Sequence, residues 1–198
     1  MNNALAAQCA LLAATLAIAA LTTSVAPAQS APEGGPVIIG TIEPQHCIAR
    51  VVSGQPPVVR CFRYFRAAIA AATNNTVLLP SGVTQQSISD VELFPTPAAT
   101  TAVIGIDYDG IDYTGDTLIW YVNRPYGCYE DPFAYTISSQ MPNLFNNRLS
   151  STRAFNGCHF NDSYDGYNYT GASVRCFRDC TRVGVMNNRT SSKVWWDF

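Results

Sequence analysis

The stretch YDGIDYTG at residues 108–115 has a near copy, YDGYNYTG, at residues 164–171. A second pair follows in the same order: NNRLSS at residues 146–151 and NNRTSS at residues 187–192. Two signatures that each occur twice in the same order indicate an internal duplication. Each half of the duplication contains an aromatic–glycine segment followed by a polar segment, and this arrangement decides the fold.

The aromatic–glycine segments predict hairpins within an all-β domain. They end in Gly115 and Gly171, and glycine accepts the positive φ that a tight hairpin requires. Short alternating segments such as TLIWYV and SKVWW occur after residue 101. Short strands with turn residues about every 8 to 12 positions are typical of a β sandwich or Greek-key fold. We expect the two repeats to pack through their strand aromatics, with Trp120 and either Trp195 or Trp196 partly buried.

The polar segments supply oxygen atoms at close spacing. Asn-Asn-Arg-x-Ser-Ser offers amide, hydroxyl and backbone carbonyl oxygens. These are the ligands that Ca²⁺ prefers, and it usually takes about six to eight of them. The alternative is a polar turn in which Asn and Ser bond their own backbone. Because each copy follows an aromatic–glycine hairpin, we favour the ion-binding interpretation.

Together, the paired motifs resemble those of the βγ-crystallin domain, and more narrowly those of its microbial calcium-binding members. In that family (Asn/Asp)-(Asn/Asp)-x-x-(Ser/Thr)-Ser occurs once per Greek key, and two keys form a domain. The resemblance covers residues 103–196 and nothing before them. The expected fold is an all-β C-terminal domain of two Greek-key motifs, a βγ-crystallin-like sandwich, preceded by a small hairpin-helix (α+β) module.

The resemblance also implies which residues form two calcium sites. Each hairpin contributes an oxygen, and each polar motif contributes its second side chain, its third carbonyl and its fifth hydroxyl, with contributions crossing between keys. The implied ligands are Asp109, Asn147, Arg148, Ser150, Asp165, Asn188, Arg189 and Ser191. The residues implied to support the motifs are Asn146, Ser151, Asn187, Ser192, Gly115 and Gly171.

Two departures from the family pattern bear on these sites. Both motifs use Asn where Asp would add charge, which predicts weak sites in the ~10⁻⁴ to 10⁻³ M range of extracellular calcium modules. The first key is also longer, because Asn146 lies 38 positions after Tyr108 whereas Asn187 lies 23 after Tyr164. The extra residues form a loop that could crowd the first site or lend it a carboxylate.

The remaining segments divide the chain before the repeats. Residues 1–28 contain no charged side chain and end in Ala-Pro-Ala, which predicts a signal peptide; a retained N-terminal anchor is the alternative. Residues 29–36 predict a disordered leader, 37–80 a disulfide-closed hairpin-helix module, 81–101 a linker, and 102–198 the crystallin-like domain. No other segment is apolar enough to span a bilayer, so we expect no membrane association after cleavage.

The cysteines favour disulfides in an exported protein. Seven are present, and six remain once the signal segment with Cys9 is removed. Proximity in the sequence favours the pairs Cys47–Cys61 and Cys176–Cys180, which leaves Cys128–Cys158. Zinc binding is the weaker alternative, because the only histidines, at positions 46 and 159, show no ligand spacing. We therefore predict a secreted, extracellular protein.

The composition of the chain and its enlarged loop bear on the choice between the remaining functions. The net charge of −2 shows no basic cluster, which argues against nucleic-acid binding. With two histidines as candidate bases, we predict no enzyme activity and no catalytic residues. The predicted function is calcium binding in a structural or interaction role; the alternative is a peptidase inhibitor or killer-toxin-like protein on the same fold, with an extracellular protein target. Its candidate interface is the enlarged loop, with the aromatic residues Tyr126, Tyr129, Phe133 and Tyr135.

Overall fold

The computed structural model describes residues 45–52, 55–130 and 136–197. The predicted signal peptide and leader lie outside these residues, as do Phe133 and Tyr135 of the enlarged loop. Among the described residues, none of the helices combines the length and the apolar character that crossing a membrane requires.

Local sequence patterns account for the elements that precede the repeats. Alternating residues form a hairpin around a Pro-Pro break, and apolar residues at helical spacing form a helix that buries Phe65 and Ile69. Ser89 and Glu92 form a capping box that starts a second, short helix. The elements are β1 (His46–Arg50), β2 (Val59–Phe62), α1 (Phe65–Ala72) and α2 (Asp90–Leu93).

The two repeats form two interlocked Greek keys. The first key contributes β3 (Ala102–Tyr108), β4 (Thr117–Val122), β5 (Thr136–Ser138) and β6 (Ser151–Ala154). The second key contributes β7 (Phe160–Tyr164), β8 (Ser173–Phe177), β9 (Asp179–Cys180) and β10 (Ser192–Trp196). The third strand of each key pairs with the fourth strand of the other, β9 with β6 and β5 with β10. The resulting strand orders are β4-β3-β6-β9 and β5-β10-β7-β8.

The N-terminal hairpin belongs to the first of these sheets. β1 runs parallel to β4 and extends the sheet to the order β2-β1-β4-β3-β6-β9. On one face of this sheet, Ile69 of α1 shares a core with Ile106 and Ile119. The hairpin and the helix therefore form as predicted, but the pairing of β1 with β4 makes them part of the crystallin-like sheet rather than a separate module. All of the described residues, from 45 to 197, fall in one compact unit.

The segment predicted as a linker, residues 81–101, is packed against the first key. Ile88 is fully buried. Tyr108 donates its hydroxyl hydrogen to the Gln85 carbonyl (3.0 Å), and Arg153 donates to the Ile88 carbonyl (2.7 Å). The Thr, Pro, Ser and Ala content of the segment predicts irregular backbone, but it does not reveal that hydrogen bonds from β3 and β6 hold that backbone in place. The segment is therefore a covering strap on the first key and not a linker.

A second core lies between the two sheets and is centred on two tryptophans. Trp120 and Trp195 are fully buried, with ring centroids 5.0 Å apart. The predicted packing through strand aromatics is confirmed, and the burial is complete rather than partial. The first sheet is thus covered by α1 on one face and by the second sheet on the other. For this reason every residue of β3 is buried.

A buried ion pair joins the two sheets inside this core. Lys193 Nζ on β10 lies 2.5 Å from Asp107 Oδ1 on β3, and the two side chains are 0% and 1% exposed. The Thr152 hydroxyl donates to Oδ1 of the same carboxylate, and Trp120 Nε1 donates to Oδ2, each at 2.7 Å. Burial lowers the pKa of Lys193, and the charge of Asp107 opposes that shift. Each buried charge therefore has a charged partner and further hydrogen bonds.

The three predicted disulfides are confirmed. They are Cys47–Cys61, Cys128–Cys158 and Cys176–Cys180. The first closes the N-terminal hairpin, and the second ties the enlarged loop of the first key to the residues just before β7. The third joins β8 to β9, which belong to different sheets. Disulfides in a chain of this kind indicate an oxidising environment.

Removing one partner of the buried ion pair should destabilise the protein strongly. Lys193→Met leaves Asp107 without its counter-charge in the core, and a change of this kind costs about 3–5 kcal/mol of unfolding free energy. The double variant Lys193→Met, Asp107→Asn should recover most of that loss, because the amide is uncharged and still accepts from Trp120. Urea denaturation of the three proteins measures the difference. A single variant that unfolds at the wild-type midpoint would contradict this prediction.

Candidate metal sites between the two keys

Each aromatic–glycine segment forms the same tight hairpin. Gly115 has φ = 81° and Gly171 has φ = 80°, and the residues at the two equivalent earlier positions of each hairpin are also left-handed. A Cβ atom on Gly115 would overlap the carboxylate of Asp109, and one on Gly171 would overlap that of Asp165. Glycine is therefore required at both positions, by its positive φ and by the close approach of a carboxylate.

The same two carboxylates close the hairpins. Asp109 Oδ1 accepts a hydrogen bond from the backbone N–H of Asp116 (2.7 Å). In the second key, Asp165 Oδ1 accepts one from the backbone N–H of Ala172 (2.8 Å). The duplication thus extends to equivalent side-chain-to-backbone bonds, seven residues apart in each hairpin.

The arginine of each polar motif ties that motif to the hairpin of its own key. Arg148 Nη2 lies 2.5 Å from Asp109 Oδ2 and 2.8 Å from Asp116 Oδ2, and Arg189 Nη2 lies 2.5 Å from Asp165 Oδ2. Desolvation alone would lower the pKa of Arg148, but its hydrogen bonds to Asp116 and Asp109 raise the pKa on balance. The implied ligands Asp109 and Asp165 therefore hold the loops through their carboxylates. Any contribution to an ion has to come from a shared carboxylate oxygen or from the backbone.

The two polar motifs meet and bond each other reciprocally. The backbone N–H of Asn147 donates to the Thr190 carbonyl (3.0 Å), and that of Asn188 donates to the Leu149 carbonyl (2.8 Å). Asn147 and Asn188 have φ of 59° and 54°, a left-handed conformation that Asn adopts more readily than most residues. Equivalent positions of the two motifs therefore make equivalent contacts across the keys.

These contacts bring a serine hydroxyl of one key next to an asparagine amide oxygen of the other. Ser150 Oγ lies 3.5 Å from Asn188 Oδ1, which we call the first oxygen pair, and Ser191 Oγ lies 3.3 Å from Asn147 Oδ1, the second oxygen pair. Two oxygens that each lie about 2.4 Å from a Ca²⁺ ion, at a right angle, are about 3.4 Å apart. In the structure each serine hydroxyl donates a long hydrogen bond to the amide oxygen, and both distances also match the spacing of neighbouring calcium ligands, in a crossed arrangement.

Backbone bonds place each oxygen pair at the hairpin of its serine. Ser150 donates its N–H to the Tyr108 carbonyl (2.8 Å), and Ser191 donates to the Tyr164 carbonyl (2.7 Å). The next serine of each motif donates its hydroxyl hydrogen to a hairpin carbonyl at 2.7 Å: Ser151 to Gly110 and Ser192 to Gly166. The first oxygen pair thus lies beside the first hairpin, and the second oxygen pair lies beside the second hairpin.

The side-chain oxygens of both oxygen pairs are uncharged. Among the described residues, no group of three His, Cys, Asp or Glu side chains is placed to hold a metal ion. Asn146, implied to shape the first loop, donates to the Tyr167 hydroxyl at 3.4 Å, and its own amide oxygen is buried without a hydrogen-bond partner. Asn187 donates its backbone N–H to the Gly184 carbonyl (3.1 Å). Amide, hydroxyl and carbonyl oxygens suit Ca²⁺ rather than transition metals.

Comparison with solved structures finds βγ-crystallin domains. A βγ-crystallin from an archaeon shares 15% identity with a TM-score of 0.34, over 48% of this chain and 98% of that one. A double mutant of clostrillin in complex with nickel shares 19% identity with a TM-score of 0.35, over 48% and 98%. A βγ-crystallin domain from Clostridium beijerinckii shares 18% identity with a TM-score of 0.33, over 46% and 97%. No protein-family model and no curated protein sequence matches the chain.

The strand order itself decides the architecture. Two Greek keys exchange their third strands, and each first strand ends in a tyrosine–glycine hairpin. The chain has the βγ-crystallin fold. The resemblance stated from the sequence is confirmed for the fold, and the N-terminal hairpin and α1 are additions to it.

The enlarged loop departs from the crystallin repeat and exposes aromatic side chains. Tyr126 and Tyr129 are 40% and 49% exposed, whereas Cys128 between them is buried. The ring of Tyr129 lies so close to Gly157 that a Cβ there would meet it. The Cys128–Cys158 disulfide and this contact therefore fix the base of the enlarged loop, and Tyr126 and Tyr129 face solvent.

One residue of this arrangement, Asp116, is not predicted by either motif. It binds the guanidinium of Arg148, a residue that was implied only for its carbonyl. A signal for it exists, because the two octapeptides are followed by Asp116 in the first key and by Ala172 in the second. An alignment of the two octapeptides that extends one residue further therefore shows that the first key has a carboxylate where the second has a methyl group.

Alanine in place of a hairpin glycine should destabilise the fold. Gly171→Ala forces a positive φ on a side chain that also meets Asp165, so we expect a loss of more than about 1 kcal/mol in unfolding free energy. Gly184→Ala is a control for φ alone, since Gly184 has φ = 57° in open space, and Gly82→Ala is a control with open space and no positive φ. Thermal or urea unfolding should rank the losses Gly82, Gly184, Gly171 in increasing order. Equal losses at Gly184 and Gly171 would show that the contact with Asp165 is unimportant.

Proposed function

We propose that this protein binds Ca²⁺ at the two oxygen pairs and that it is exported to an oxidising, extracellular compartment. The observation that carries the proposal is the reciprocal approach of Ser150 to Asn188 and of Ser191 to Asn147. Each pair joins two keys, lies at a hairpin fixed by its own aspartate–arginine contact, and has the oxygen spacing that neighbouring calcium ligands require. These features support the proposal that an ion of this size binds at both loops.

Further oxygens close to each pair would complete the coordination. The carbonyls of Arg148 and Arg189 follow directly on the ligand asparagines, and the backbone of Asp109 and of Asp165 lies at the corresponding hairpin. A bound Ca²⁺ ion would bridge the two keys, and water molecules would fill the coordination positions that the protein oxygens leave open. Because the side-chain donors are neutral amides and hydroxyls, we expect dissociation constants of ~10⁻⁴ to 10⁻³ M.

We assign the protein a structural or interaction role rather than a catalytic one. His46 Nδ1 lies 3.0 Å from the hydroxyl of Thr117, the buried first residue of β4, and burial lowers the pKa of His46. His159 Nδ1 lies 2.5 Å from Asp197 Oδ1 at the end of β10. Both histidines therefore have partners that explain them as parts of the fold.

The second candidate function is interaction with an extracellular protein, as a peptidase inhibitor or toxin-like protein. It is favoured by one observation, the exposure of Tyr126 and Tyr129 on a loop whose base is held by Cys128–Cys158. Exposed aromatic side chains on a fixed loop suit an interface anchor. This function does not compete with ion binding, because the loop and the oxygen pairs involve different residues.

Thermal unfolding with and without calcium tests the main proposal. A ligand that binds only the folded state stabilises it by about 2.7 kcal/mol when its free concentration is 100 times the dissociation constant. Melts of the mature protein in chelator and in 10 mM Ca²⁺, about 100 times a dissociation constant of 10⁻⁴ M, should therefore differ by several degrees. Magnesium should have a much smaller effect, because it requires a tighter octahedron and loses its water reluctantly.

Two double variants make this test specific. Ser150→Ala with Ser191→Ala removes one oxygen from each pair and should abolish the calcium shift while changing the melt in chelator little. Ser150→Thr with Ser191→Thr retains both hydroxyls and is the matched control, so its shift should persist. If the wild-type melts in chelator and in calcium coincide, the repeated polar motif only stabilises turns through its own backbone hydrogen bonds. Interaction with an extracellular protein through the enlarged loop then becomes the leading candidate function.

A further inference from the structure

We infer that the two calcium sites are unequal and that Asp116 makes the site at the first hairpin the stronger one. This inference rests on the proposed function, because it concerns the affinity of the same two sites. It goes beyond that function by naming a residue outside both oxygen pairs that sets the order in which the sites fill.

The first hairpin has a carboxylate that the second lacks. Arg148 bridges Asp109 and Asp116 at 2.5 and 2.8 Å. In the second hairpin Arg189 pairs with Asp165 at 2.5 Å, and the position equivalent to Asp116 is occupied by Ala172, an exposed residue. The equivalence is structural, since the backbone N–H of each residue closes its own hairpin on the aspartate carboxylate.

Asp116 is also held in place by the N-terminal hairpin. Its Oδ1 accepts the backbone N–H of Gln45 at 2.8 Å, just before β1, while its Oδ2 faces Arg148. Its side chain is 25% exposed, so its charge is only partly screened by water. The pairing of β1 with β4 therefore fixes the orientation of this carboxylate toward the first polar motif.

The difference in local charge favours ion binding at the first hairpin. There, Asp109 and Asp116 against Arg148 leave one net negative charge, whereas Asp165 and Arg189 at the second hairpin cancel. The remaining charged pair of the first hairpin, Asp112 with Arg182 at 4.0 Å, contributes no net charge. One unit of charge that acts on a divalent ion across about one Debye length, ~8–10 Å in physiological salt, corresponds to a roughly 3- to 10-fold difference in affinity.

Backbone amide signals can report on each site separately. We suggest titrating the ¹⁵N-labelled mature protein with CaCl₂ and following the Gly115 amide for the first site and the Gly171 amide for the second. In the wild type, the Gly115 signal should reach its midpoint at a roughly 3- to 10-fold lower calcium concentration. Asp116→Asn keeps the acceptor for Gln45 but removes the charge, so it should raise the Gly115 midpoint and leave the Gly171 midpoint unchanged.

Reciprocal and control variants complete the experiment. Ala172→Asp should lower the Gly171 midpoint, because it adds the missing carboxylate beside Arg189. Asp197→Asn removes the same charge at the far end of β10, about 16 Å from the polar motif, and should leave both midpoints unchanged.

The outcomes separate this inference from the proposed function. Calcium that moves neither amide signal would overturn the proposed function and the inference together. Calcium that moves both signals with equal midpoints would overturn the inference and leave the proposed function standing. Equal changes of both midpoints in Asp116→Asn would also overturn it, since they would show that Asp116 acts on the fold and not on the first site. Melts of the variants in chelator confirm that each one is folded.

Discussion

The ion pair between Lys193 and Asp107 is the interaction on which the arrangement of the two sheets depends. An unpaired charge in this core would cost several kcal/mol, so each group requires the other at close range. The same carboxylate accepts from Trp120, which packs on Trp195 of the opposite sheet. The sheets therefore cannot slide or rotate without breaking a buried ion pair and an aromatic contact at the same time.

This fixed arrangement, together with strand exchange, creates the candidate sites. Each polar motif ends where the fourth strand of its key begins, at Ser151 for β6 and at Ser192 for β10. Because each fourth strand pairs with the third strand of the other key, the loops that precede β6 and β10 are brought face to face. A single key would leave Ser150 without Asn188 opposite it, so the sites are properties of the pair and not of either repeat.

Features that follow from local spacing, from the duplicated motifs or from the cysteine count could be predicted from the sequence, whereas other contacts between distant residues could not. The hairpin glycines, α1 and the disulfide Cys176–Cys180 follow from local spacing. The Lys193–Asp107 pair joins residues 86 positions apart, and nothing near either residue indicates the other. The composition of residues 81–101 predicts a linker because Pro, Thr and Ser favour irregular backbone. It does not predict the hydrogen bonds that hold this backbone against the first key. At the candidate sites, the motif predicts candidate oxygen ligands, but it does not predict the contacts of the arginine side chains with the hairpin aspartates.

The same connections limit what a bound ion would do. Cys128–Cys158 joins the first key to the start of the second, and Cys176–Cys180 joins strands of different sheets. Covalent cross-links restrict the unfolded chain, and the buried ion pair holds the sheets, so we expect the keys to stay associated without calcium. An ion that bridges Ser150 and Asn188 would therefore add its binding free energy to a fold that already exists. Its structural effect would be confined to the polar loops and the hairpins tied to them, while the sheets keep their arrangement.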